Sequence, residues 1–520
     1  MSSRESQEPL LAFLADPATH AGAPVKRIDT HAAVIFLAGP RAFKVKRAVS
    51  FPFLDYSTLE KRREACESEL RINRPFAPQI YRRVLPITRT AAGALELGGT
   101  GQPVEWAVEM HRFDESATLD HLARAGKIDA ALADALGRAV AHAHAVTVAV
   151  EPSRWIQALA DYIEEHVAAF GERSELFPPS EVEALARASR AQYARIRPLL
   201  IERGQRGFIR RIHGDLHLGN VVLLEGRPVP FDAVEFSDVI ASGDLLYDLA
   251  FLLMDLTERG LRPAANIVLN RYLVETRRAE DLDALAALPL FLSMRAAIRA
   301  KVAAARLAYL GPQEKPASEA SARQYFDFAC RFIAPAPPAL VAVGGLSGTG
   351  KSVLARTVAP GLDPAPGAVV LRSDTERKAL FGKPEQEKLA PDAYTPEVTA
   401  RVFATLADKA RRVLAAGHSA VVDAVFSTPR ERELVERSAA VLGASFRALF
   451  LETDLTTRVA RVGTRAPDAS DADAAVARKQ EGYDLGLLTW PRVDASGTPE
   501  ETLARARAYA CSVLGRAGQR

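Results

Sequence analysis

Apolar positions change their rhythm once along the chain, near residue 334. Ahead of that point, short alternating runs come first and helical spacing follows. Residues 33–39 and 42–45 read as strands joined by the turn Gly39-Pro40-Arg41, and 104–110 reads as a further strand. Residues 57–73 predict a helix with Ser57 or Thr58 as its cap and Leu59, Cys66 and Leu70 on one face. Ala and Leu spacing predicts helices over 129–146 and 179–200, with short strands at 208–212, 220–224 and 229–231. Residues 245–255 and most of 264–332 read as helix, giving a β-rich front and an α-rich back. Beyond the break, apolar strands at 340–343, 369–372, 420–423 and 446–451 alternate with helical stretches, which implies a parallel sheet.

The break itself is APAPPA, residues 334–339, whose prolines cannot continue a helix. The expected organisation is an N-terminal segment (1–27), an α+β bilobal domain (28–333), a Pro-rich linker (334–339) and an α/β P-loop domain with a parallel sheet (340–520). A chain of 520 residues is too long for one core. A net charge of +3 does not favour nucleic acid as a default partner, and leaves the oligomeric state open. Cys66, Cys330 and Cys511 are widely separated, with no zinc spacing or disulfide framework, which fits a reducing cytoplasm. The opening MSSRESQEPLLAFL does not read as a signal peptide, and 244–256 is too short and too acidic to span a bilayer, so no membrane partner is expected.

Two stretches carry chemistry. The first is HGDLHLGN, residues 213–220, followed by FDAVEF, residues 231–236. Phosphoryl transfer from ATP is mostly positioning and charge neutralisation, and needs an acid beside the acceptor hydroxyl plus hard oxygen ligands for Mg²⁺. Asp215 fits the base, with Asn220 and Asp232 as metal ligands. A lysine on an early strand should hold the phosphates and pair with a helix glutamate. Lys44 and Lys46 lie two apart on AFKVK and face one side. Glu64, Glu67 and Glu69 are all available on the next helix, Glu69 lying nearest its apolar stripe. His142 and His144 read as packing or surface residues.

The second stretch is GLSGTGKS, residues 345–352, after the apolar LVAV: a complete Walker A loop in strand–loop–helix context. Gly345, Ser347, Gly348, Thr349 and Gly350 would wrap backbone N–H groups around phosphate, Lys351 would reach the β/γ oxygens, and the Ser352 hydroxyl would ligate Mg²⁺. Asp423, ending the strand SAVVDAV, is the candidate second metal acid. Asp374, at the end of another strand, is placed to take an acceptor proton, and Arg377, one turn on, to bind an anionic part of the acceptor. Arg458, Arg461 and Arg465 form a basic cluster suited to a lid over the γ-phosphate, or else a solvated helix face. The run DASDADAAV, 468–476, reads as a capped helix start rather than a calcium loop.

HGDLHLGN, FDAVEF and the later YDLAFLLMDL resemble the aminoglycoside phosphotransferase and choline-kinase branch of the protein kinase-like fold, over residues 28–330. That resemblance implies that Asp248 props the catalytic loop and that Glu109 and Met110 form the hinge beside adenine. GxGxxG is absent; Thr30-His31 to Gly39 holds its place, and Glu235 in FDAVEF is an extra ligand or merely polar. Residues 339–515 resemble small P-loop kinases such as gluconate kinases, polynucleotide 5′-end kinases and zeta-type toxins. Segments such as SFPFLDYSTLEKR, LRINRPFAPQIY and RAPDASDA are similar to a bacterial family that fuses the two domain types. The function this implies is a bifunctional ATP-dependent phosphotransferase with two Mg-ATP sites and small hydroxylated acceptors. An ATP-binding sensor with an inactive front domain, and a nucleic-acid end kinase in the rear domain, are the alternatives.

Overall fold

Residues 7–51, 54–464 and 468–510 are described by a computed structural model. The chain divides into two compact units, residues 1–162 with 197–255 and residues 163–196 with 256–520.

The first unit is built on a six-stranded antiparallel sheet. Its order is Val25–Asp29, Ala33–Ala38, Arg41–Lys46, Gln102–His111, Tyr81–Arg89, Leu95–Leu97. Alternation along Arg41–Lys46 sends Phe43 and Val45 into a core with Val34, Phe36, Leu85 and Ile87. The helix Glu8–Ala15 closes that core with Leu10, Leu11 and Leu14, so the opening segment packs with the sheet. Gln7 adds a tie, its side-chain amide donating to Lys46 O at 3.0 Å.

Alternation leaves Lys44 and Lys46 for the other side of the sheet, where the helix Leu59–Asn73 carries Glu69. Thr58 caps that helix by accepting the Lys61 N–H, as its hydroxyl at the N-cap position suggests. Farther along, Val221–Leu224 and Arg227–Pro230 form a hairpin, and the helix Leu245–Glu258 lies buried behind it in sequence. Trp155 packs on Tyr247 with ring centroids 5.5 Å apart, a packing role for that tryptophan.

The second unit contains a five-stranded parallel sheet ordered Val369–Arg372, Ala420–Asp423, Ala339–Gly345, Ser445–Glu452, Arg492–Asp494. The central strand Ala339–Gly345 is buried throughout, as a parallel strand covered on both faces must be. Helical residues from ahead of the linker share this unit. Phe170, Phe177 and Phe326 form an aromatic core with centroids 4.7–5.1 Å apart. The helix Arg262–Thr276 covers the sheet's open edge: Asn270 Oδ1 accepts the Val370 N–H at 2.6 Å, and the Asn266 and Asn270 amides donate to Ala368 O at 3.0 and 3.1 Å. Unpaired edge groups are thereby satisfied by side chains instead of another strand.

Two histidines in this unit give a pH-dependent stability. His418 Nε2–H donates to Gly367 O at 2.9 Å, and among the described residues its Nδ1 is buried without a partner. Burial, aided by Arg262, holds His418 down at about 4 against the Gly367 bond. Burial, then Lys301, hold His166 at about 3. Their unfolded values lie near 6.5, so the folded state binds fewer protons below that pH. Their contribution is fully present above pH 6.5 and is lost as pH falls toward 4 and then 3. Each should be worth on the order of 3 kcal/mol at neutrality. Urea unfolding from pH 7.5 to 4.5 should show this slope, and His418→Gln should flatten it.

Among the described residues, no helix is long and apolar enough to cross a membrane.

Candidate phosphoryl-transfer sites

The front site is assembled around a loop held by one helix. Asp248 accepts the backbone N–H groups of His213 and Gly214, both at 3.0 Å, and lies 3.2 Å from His144 Nε2. Two turns farther along the helix, Asp255 accepts the Leu218 N–H at 2.9 Å. Two buried carboxylates thus fix residues 213–218, satisfying backbone donors that a tight loop cannot pair internally. His213 Nε2–H donates to Phe231 O at 2.9 Å, joining this loop to the segment that bears Asp232. Burial lowers the His213 pKa below the ordinary value despite Asp248, consistent with a neutral ring.

Asn220 and Asp232 sit at the base of the hairpin. Phe231 N–H donates to Asn220 O at 2.9 Å, and the Asn220 amide donates to Asp215 Oδ2 and O, each at 3.0 Å. With its nitrogen committed, Asn220 keeps its oxygen for a cation. Asp232 has φ +61°, a conformation that strains a residue with a side chain. Its N–H donates to Tyr81 Oη at 3.1 Å, and its carboxylate is 44% exposed, open to a ligand.

Lys44 completes the arrangement. Its Nζ donates to Glu69 Oε1 at 2.9 Å and to Asp232 Oδ1 at 2.7 Å. Lys46 Nζ lies 2.6 Å from Glu69 Oε2 and also pairs with Glu235, which accepts from Tyr56 Oη at 3.2 Å. Burial alone would pull the Lys44 ammonium down, but Asp232 and Glu69 hold it well above the ordinary lysine value. Burial likewise pushes Glu69 up, and the two lysines outweigh it and hold the carboxyl low. Lys44 and Glu69 are therefore both charged at neutral pH.

The rear candidate site is a glycine-bearing loop that leads into a helix. Gly348 has φ +88°, and a Cβ there would stand 2.5 Å from Arg458 O, so only glycine lets the loop pass that carbonyl. Gly350, at φ +91°, precedes the helix Lys351–Val358, whose N-terminal N–H groups point into the loop. Thr349 Oγ1 donates to Leu346 O at 2.8 Å, and Ser347 N–H donates to Gln480 Oε1 at 2.7 Å. A cavity of about 550 Å³ opens here, lined by Lys351, Ser352, Arg461, Asp468 and Thr502 among others. That size suits a nucleotide-scale ligand.

At the ends of two neighbouring strands stand Arg372 and Asp423. Arg372 Nε donates to Asp423 Oδ2 at 3.2 Å, and Nη2 lies 3.4 Å from Ser352 Oγ. The same guanidinium makes a fork to Asp468, both contacts 2.9 Å. Among the described residues, Asp423 Oδ1 is buried with no partner.

Residues 55–288 match the phosphotransferase enzyme family, and residues 340–483 match the AAA domain. The chain joins a phosphotransferase-family domain to a P-loop domain. Uncharacterized proteins of Mycobacterium tuberculosis and Mycobacterium bovis are each 29% identical over 493 residues, covering 92% of this chain and 94% of the relative. Among solved structures, an ethanolamine kinase of Plasmodium vivax is similar over 63% of this chain and 89% of its own, at 10% identity and TM-score 0.39. A gluconokinase from Sinorhizobium meliloti is similar over 34% of this chain and 93% of its own, at 21% identity and TM-score 0.25.

In the phosphotransferase-family domain, Asp215, Asn220, Asp232, Lys44, Lys46 and Glu69 come together. Glu69 meets both lysines, while Glu67 pairs with Arg63 on the exposed face of the helix. Glu109 and Met110 require a correction. Both lie inside Gln102–His111 with partners on either side, Phe43 and Arg83 for Glu109, Ala42 and Tyr81 for Met110. A hinge needs free backbone groups, and these are consumed by the sheet. The Glu109 carboxylate is also taken, by Arg82 at 3.1 Å and Arg83 at 2.7 Å. The strand runs farther than its apolar pattern, through His111. His144, expected as a packing or surface residue, supports Asp248.

In the P-loop domain, Gly348, Thr349, Gly350, Lys351 and Ser352 line one cavity, Gly345 and Ser347 do not, and Asp423 lies one guanidinium away from Ser352. Three arginine expectations change. Arg458 is fully buried and donates to Ala477 O at 3.3 Å, so it belongs to the scaffold. Arg461 lines the cavity, yet donates to Ala495 O at 2.7 Å and Gly497 O at 2.7 Å, building a wall instead of reaching phosphate. Arg377 donates to Ala393 O at 2.7 Å and Thr399 Oγ1 at 3.2 Å, and lies over the Tyr394 ring, so its guanidinium is held by protein partners and not offered to an acceptor. Arg465 lies outside the described residues. Asp374 stands in the first turn of Ser373–Leu380, its charge acting on Arg372, Arg377 and Tyr394. Asp473 caps Ala474–Gln480, while Asp468 and Asp471 instead grip Arg372 and Lys378.

Arg372 and Asp468 were not among the expected site residues. An arginine ending an apolar strand beside an acid was the available signal for the first. The second depends on a partner distant in sequence.

Proposed function

We propose that the chain is a cytoplasmic, bifunctional ATP-dependent kinase with two Mg-ATP sites, acting on small hydroxylated metabolites. The supporting observation is the convergence in the front site: Lys44 bridges Glu69 and Asp232 while Asp215 and Asn220 lie against each other. The division into a phosphotransferase domain, 28–333, and a P-loop domain, 340–520, belongs to the same reading.

The donor sets fit Mg²⁺. Asp232 and the Asn220 oxygen are hard ligands in front; in the rear, the Ser352 hydroxyl and the orphaned Asp423 Oδ1 are. Among the described residues no cluster of three or more His, Cys, Asp or Glu side chains forms a cage, so few protein ligands would share the ion with phosphate oxygens. Bound Mg²⁺ supplies charge neutralisation across the phosphates. Lys44, fixed by Glu69, holds phosphate oxygens at the front. Asp215, oriented by Asn220, takes the proton of an acceptor hydroxyl. In the rear, Lys351 and the loop N–H groups hold phosphate, and Asp374 takes the acceptor proton.

ATP consumption against a panel of sugars, amino sugars, nucleosides and antibiotics tests the reading. With any acceptor that is phosphorylated, Asp215→Ala or Lys351→Ala should lower turnover by about 10²–10⁴-fold, depending on which site serves it. Wild-type turnover in both variants with every acceptor would sink the proposal.

A further inference from the structure

The geometry points to Arg372 as a built-in counter-charge that lets the P-loop site bind a nucleoside triphosphate before, or without, Mg²⁺. The inference rests on the reading of that loop as a triphosphate site, and adds a role for a residue outside the P-loop motif.

The predicted metal ligands Ser352 and Asp423 are already spanned by one cation. Arg372 reaches Ser352 Oγ at 3.4 Å and Asp423 Oδ2 at 3.2 Å, and its fork to Asp468 fixes the guanidinium from the far side. A planar guanidinium suits this work because it can meet two carboxylates and a hydroxyl in fixed directions. Asp423, Asp468 and Arg372 together carry one net negative charge. Without the arginine they would carry two, beside a loop that must receive a strongly anionic tail. Two carboxylates near phosphate, poorly screened by water, repel it strongly enough to dominate binding. Relief would then fall to Lys351 and Arg356, which also line the cavity, and to a metal ion. With Arg372 present, much of the neutralisation that usually falls to the metal is supplied by the chain, while Asp423 Oδ1 stays available for the ion itself.

Simple scaffolding makes a different prediction, which two substitutions separate. Arg372→Met and Asp468→Asn both break the fork, but only the first removes the cation. The readout is hydrogen exchange of a peptide spanning 345–358 during ATP titration of the full chain, in Mg²⁺ or in EDTA. This peptide reports the rear site and is blind to the front one. In the wild type and in Asp468→Asn, the midpoint in EDTA should lie within about tenfold of that in Mg²⁺. In Arg372→Met, EDTA should raise the midpoint by about a hundredfold or more, with Mg²⁺ restoring protection. Equal sensitivity to EDTA in wild type and Arg372→Met overturns the inference, as does an equal loss in both variants. If ATP protects the peptide in no protein under either condition, the triphosphate reading of the loop fails first and takes the inference with it. Protection in Mg²⁺ alone for the wild type leaves that reading intact and overturns only the role of Arg372.

Discussion

Glu69→Ala should destabilise the chain by about 3–5 kcal/mol, the range for removing one partner of a buried charge cluster. Glu69 is fully buried and is the shared counter-ion of Lys44 and Lys46, at 2.9 and 2.6 Å. Without it, two ammonium groups lie side by side on one face of the strand, with Asp232 and Glu235 left among the described residues to balance them. Lys46 is 3% exposed, so water cannot replace the lost carboxylate. The damage falls on function too, because Lys44 would turn toward Asp232 and away from phosphate. Urea unfolding measures the first effect. Glu69→Gln should recover only part of it, since an amide keeps the shape and loses the charge. A change below about 1 kcal/mol would mean that the cluster is solvated and its charges weakly coupled.

Gly348→Ala should abolish useful nucleotide binding at the rear site. The added Cβ would sit 2.5 Å from Arg458 O and 2.8 Å from its Cα, both backbone atoms that cannot swing aside. The left-handed conformation adds strain of about 1–3 kcal/mol for any residue with a side chain. The loop must move or the helix Leu455–Thr464 must shift, and either spoils the cradle. ATP-dependent exchange protection of 345–358 should weaken by about a hundredfold or more. The thermal unfolding midpoint should fall by a few degrees, as strain of that size implies, while the strand behind the loop stays intact.

Both phosphate motifs were legible because their residues are contiguous: a run of eight positions carries each loop, and local backbone demands fix glycine, acid and lysine within it. The parallel sheet was legible for a similar reason, since buried strands such as Ala339–Gly345 are apolar at every position. The strand Tyr81–Arg89 was not. Its sequence YRRVLPITR breaks the alternation with two arginines and Pro86, and only pairing with Gln102–His111 makes it a strand. Strand alternation put Lys44 and Lys46 on one face, but Lys44 finds Asp232 across 188 positions. Arg372 and Asp468 meet across 96 positions, so neither announces the other. The arginines were misread for a common reason: a guanidinium in sequence looks like a ligand for phosphate, whereas Arg377, Arg458 and Arg461 each bond protein partners that include a backbone carbonyl.

Two independent triphosphate sites on one chain, as proposed, can be counted. Equilibrium binding of ATP in Mg²⁺ to the wild type, Lys44→Met, Lys351→Ala and the double variant counts them directly. The expected stoichiometries are two, one, one and none per chain. A single ATP per wild-type chain, unchanged by either substitution, would contradict the account.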